Sequence, residues 1–64
     1  MYRLEVFHSH SSTPTEVLLK VLAADAMEAV RDLLNRHQGC ERIVVSSGGT
    51  QLFAVDCAGS RIGP

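Results

Sequence analysis

EVLLKVLA, residues 16–23, decides the fold of this chain, because it fits either the opening turns of a helix or a strand. In the helical reading one long element runs over 14–38. Thr13-Pro14-Thr15-Glu16 then supplies an N-cap, a first-turn proline and a capping-box glutamate, and Leu19, Leu22, Ala23, Ala26, Val30, Leu33 and Leu34 share one face. The product is a βαββ fold. In the strand reading the helix begins at Asp25, where Asp25-Ala26-Met27-Glu28 forms its own capping box, and Gly39 ends it after Asn35, Arg36 and His37.

Two arguments favour the strand. VLLKVL has no helix-strengthening charge pairs. A helix over the whole segment would also reach about 35 Å at about 1.5 Å per residue, against roughly 20 Å for the strands it has to cover.

The flanking segments are simpler. Tyr2 to His8 alternates, with Tyr2, Leu4, Val6 and His8 on one face and Arg3, Glu5 and Phe7 on the other, the period of a half-buried strand. SHSSTPT is loop composition. ERIVVSS and TQLFAVDC flank Gly48-Gly49, whose freedom at positive φ suits a two-residue type I′ turn.

A strict two-residue turn pairs Ser47 with Thr50, Val45 with Leu52, Val44 with Phe53 and Cys40 with Cys57. It also sets Glu41 against Asp56, a like-charge conflict that calls for a local cation or a β-bulge. Residues 58–64 have turn composition and read as a loose tail. The expectation is therefore an α+β fold, ββαββ, with a single helix on a four-stranded, mainly antiparallel sheet, in one domain spanning 1–57.

Composition narrows the function. A chain of 64 residues, 45% apolar, removes only about 60% of its unfolded surface from water, too little to enclose a deep pocket. The net charge is −1, and the six basic residues are scattered among acids, so no stripe selects nucleic acid or an anionic membrane. The N-terminus carries charges at Arg3 and Glu5 and lacks the pattern of a secretory signal, and no window is long enough to span a bilayer. The expected compartment is the cytoplasm, where Cys40 and Cys57 would be reduced although the hairpin brings them within bridging reach.

Chemistry-bearing residues are sparse. His8 and His10 share a strand face and can offer two nitrogens to one ion, but His37, Cys40, Asp56 and Cys57 lie at no recognised ligand spacing, so no metal or other cofactor is expected. A nucleophile would have to be Cys40, Cys57 or a serine of SHSS, with His8, His10 or His37 as base. A unit this small has little room for the orienting group and oxyanion site such catalysis needs, so no enzyme activity is expected. Gly48-Gly49 joins two strands, whereas phosphate-binding loops join a strand to a helix.

One helix covers only one face of a sheet. With Leu4, Val6, Val17, Leu19 and Val21 turned to the helix, the opposite face shows Phe7, Leu18 and Leu22 around Lys20, together with Val44, Phe53 and Val55 or the alternate set of the hairpin. Such an exposed apolar set marks a protein interface. The expected function is a small stand-alone protein-binding domain acting by stoichiometric contact, such as an inhibitor, an adaptor or an antitoxin-like protein of a phage or mobile element, and forming a homodimer. A metal-binding or metal-sensing domain using His8 and His10 is the alternative, followed by a small enzyme or ligand-binding subunit with its site between protomers.

Overall fold

The computed structural model describes residues 1–9 and 11–58 and the backbone of 61–62. EVLLK is a strand: the elements are β1 (Tyr2–Phe7), β2 (Glu16–Lys20), α1 (Ala23–Arg36), β3 (Arg42–Ser47), β4 (Thr50–Asp56) and β5 (Arg61–Ile62). The sheet order is β2-β1-β3-β4-β5, antiparallel throughout, with α1 between β2 and β3 in sequence. The long helix over 14–38 is thereby excluded, and the α+β expectation of one helix on a four-stranded antiparallel sheet holds. The segment 58–64, read as a loose tail, contributes β5, which pairs Ile62 with Ala54 and Arg61 with Val55.

The helix starts two residues earlier than Asp25. Leu22 is its N-cap and makes no side-chain capping bond, so the proposed capping box does not form. Asp25 sits instead in the first turn, where its charge faces the positive end of the helix macrodipole. At the other end His37 is the C-cap, its N–H donating to the Leu33 carbonyl, and Gly39 follows at φ 81°. The helix buries Ala26, Ala29, Val30 and Leu33 against Leu4, Val6, Ile43 and Val45, each of the last four at most 2% exposed. Burying side chains of this size is worth about 1.5–3 kcal/mol each, and they form the core.

Gly48 and Gly49 turn the β3–β4 hairpin at φ 60° and 82°. Ser47 pairs with Thr50 and Ser46 with Gln51 as a strict two-residue turn requires, but the register then slips by one. Val45 meets Phe53, Val44 meets Ala54, Ile43 meets Val55 and Arg42 meets Asp56, leaving Leu52 as the extra residue of a β-bulge. The slip removes the expected Glu41–Asp56 conflict by placing Asp56 across from a cation. It also turns Phe53 and Val55 toward the helix, where both pack against the core.

Beyond the end of this ladder Cys40 and Cys57 are joined by a disulfide, their Cα atoms 5.3 Å apart. The expectation of reduced thiols is corrected. It rested on compartment rather than geometry, and the hairpin holds the two cysteines at a separation suited to a bridge.

Candidate functional site

Strand β2 forms one edge of the sheet, so the alternate backbone amides and carbonyls that do not face β1 are open on that side. Its register pairs Leu18 with Leu4, Val17 with Glu5 and Leu19 with Arg3. Paired residues share a face, and Leu4 belongs to the core, so Leu18 turns to the helix while Val17 and Leu19 turn away. This reverses the expected facing of β2.

This facing goes with an electrostatic arrangement. A run of Val-Leu-Leu has apolar groups on both faces, so burial alone is nearly indifferent to its orientation. Glu16 and Lys20 are not indifferent. With Leu18 inward, Glu16 receives two hydrogen bonds from Arg36 (Nη1 at 2.8 Å, Nη2 at 2.9 Å) and one from His37 Nε2 at 2.6 Å. At the other end Lys20 joins Leu18, Asp25, Glu28, Ala29 and Asp32 around a shallow cleft between β2 and α1 of about 300 Å³.

The Arg36 guanidinium, and after it His37, holds the Glu16 carboxyl well below the usual carboxylate range, at about 2. Arg36 also donates through Nε to Asp32 at 2.9 Å, and its own pKa is raised by Glu16 and then Asp32. With Glu16 ionised, Nε2–H of His37 is the donor to it, and His37 Nδ1 lies 3.3 Å from His8 Nε2. His8 is thus tied to the helix end. His10, its proposed co-ligand, lies outside the described residues. Among the described residues no group of three or more His, Cys, Asp and Glu side chains is placed to hold a metal ion.

The open face of the sheet is mixed rather than oily. Arg3 and Glu5 form an ion pair at 3.6 Å across its middle. Phe7 is buried, with the Arg42 guanidinium stacked 4.1 Å from its ring centroid, and Val44 is half-buried. Of the residues expected to form the interface, Leu18, Lys20, Phe53 and Val55 lie on the helix side and Phe7 is covered; Leu22 stands exposed.

Apolar exposure collects instead along β2 and the two residues joining it to α1. Leu19 is 57% exposed, Val21 71% and Leu22 61%, with Val17 at 38%. Sequence reasoning missed Val17, Leu19 and Val21, because three consecutive apolar residues give no parity and the partners of Glu16 come together only in the fold. Among the described residues no helix is long and apolar enough to cross a membrane. No protein-family model, curated protein or solved structure matches the chain.

Proposed function

We propose that this domain works by stoichiometric protein contact, with strand β2 and the β2–α1 connection as its binding surface. One observation carries the reading: an unpaired strand edge and four exposed apolar side chains, Val17, Leu19, Val21 and Leu22, occupy the same seven-residue stretch. An open edge offers main-chain hydrogen bonds to an incoming strand, and alternate side chains beside it supply selectivity. An inhibitor, adaptor or antitoxin-like role fits such a surface, and catalysis plays no part in the reading. The Cys40–Cys57 bridge favours an oxidising compartment over the cytoplasm expected from the N-terminal composition.

The test compares wild-type chain with Leu19→Lys as baits in an extract of the native host. The wild type is expected to retain one protein, a second copy of itself included, at about one-to-one stoichiometry, and Leu19→Lys to lose it. Equal retention by both baits would reject β2 as the binding surface.

A further inference from the structure

We infer that the occupant of the β2 edge is a second copy of this chain, bound antiparallel about a two-fold axis through Leu18. This rests on the protein-binding reading above and names its partner.

The argument begins with the edges. Among the described residues the sheet has two, β2 with five residues and β5 with two, so β2 offers the longer one. Edge strands are commonly protected from pairing by proline, by bulges or by charge. Residues 16–20 contain no proline, and their only charges are Glu16 and Lys20, of opposite sign at opposite ends. That arrangement invites an antiparallel copy of itself.

In the register centred on Leu18, Glu16 of one copy lies across from Lys20 of the other, twice by symmetry, and Val17 lies across from Leu19. Directly opposed side chains have Cβ atoms about 4.5–5.5 Å apart, within reach of charge and apolar contact. Glu16 keeps Arg36 in this arrangement. Glu16 and Asp32 offer two carboxylates around the single Arg36 guanidinium, so an approaching lysine still meets carboxylate oxygens. The opposite pairing, β2 against another copy's β5, is head-to-tail and would grow into open filaments, whereas β2 against β2 closes as a dimer. Two five-stranded sheets would become one of ten strands with both helices on the same side.

Sedimentation of the full chain over a concentration series tests this. The wild type is expected to dimerise. Lys20→Glu and Glu16→Lys should each raise the dimer dissociation constant at least about ten-fold, because each makes both symmetric end pairs like-charged. An equimolar mixture of the two variants should recover association, since a chain acidic at both ends of β2 then meets one basic at both ends. Leu19→Lys, exposed on the open face, should dissociate the dimer with its circular dichroism unchanged, which guards against a variant that merely unfolds.

A wild-type monomer throughout, single variants that dimerise like the wild type, or a mixture that fails to associate would each overturn the inference. A monomer that still captures a host protein through β2 would leave the protein-binding reading standing without this partner. A monomer that captures nothing would end both.

Discussion

Glu16 is the residue on which three parts of the molecule converge: it opens β2, receives both terminal nitrogens of Arg36 and takes a hydrogen bond from His37, which in turn holds His8. Its carboxyl has a lower pKa folded, about 2, than its ordinary 4.5. A depressed carboxylate contributes stability that is complete above the ordinary value and lost as pH falls through the folded one. Melting temperature should therefore decline between pH 4.5 and 2, and Glu16→Gln should flatten that decline while leaving other carboxylates to titrate. An unchanged slope in the variant would show that the cluster adds nothing to folding. The ion pairs themselves were hidden in the sequence, since residues 16, 36 and 37 are brought together only by the fold. The capping role expected of Asp25 failed for a related reason: a helix begins where the preceding strand releases the chain, and β2 ends at Lys20, early enough for the helix to start at Ala23.

Elements were more legible than their facing. The β3–β4 hairpin announced itself through paired glycines between alternating runs, and both glycines adopt the positive φ that the turn demands. Beyond the adjoining residues no heavy atom lies within 4 Å of where a side chain at Gly49 would begin, so a substitution there costs backbone strain rather than a clash. Gly49→Ala should lower the unfolding free energy by about 1–2 kcal/mol in urea titration, and Gly49→Asn, which tolerates that conformation better, by less. Equal stabilities would argue against the I′-like turn. The slip at Leu52 was foreshadowed only by the clash it relieves, between Glu41 and Asp56. The orientation of β2 was not legible from hydrophobicity at all, because three consecutive apolar residues satisfy either face. Glu16 at its start meets Arg36 and His37 at the end of a helix whose placement the sequence alone does not give.

At the scale of the whole molecule, the bridge joins positions 17 residues apart in sequence beside the core, closing the segment that contains the hairpin. Closing a loop of about 15 residues is worth about 3 kcal/mol through the unfolded chain. Reduction should accordingly lower the denaturant midpoint by an amount near that value, without loss of the helix signal in circular dichroism. Identical midpoints for the oxidised and reduced chains would show that the hairpin already supplies the constraint.

The sheet order carries one more consequence. Strand β1 is bonded on one side to β2, close behind it in sequence, and on the other to β3, whose partners run from Phe7 with Arg42, 35 positions apart, to Tyr2 with Ser47, 45 apart. Until β3 pairs with β1, Leu4 and Val6 lack their neighbours Val45 and Ile43. Assembly must wait for the distant strand to insert between β1 and solvent, a long-range closure that makes this small domain a slower folder than its length suggests.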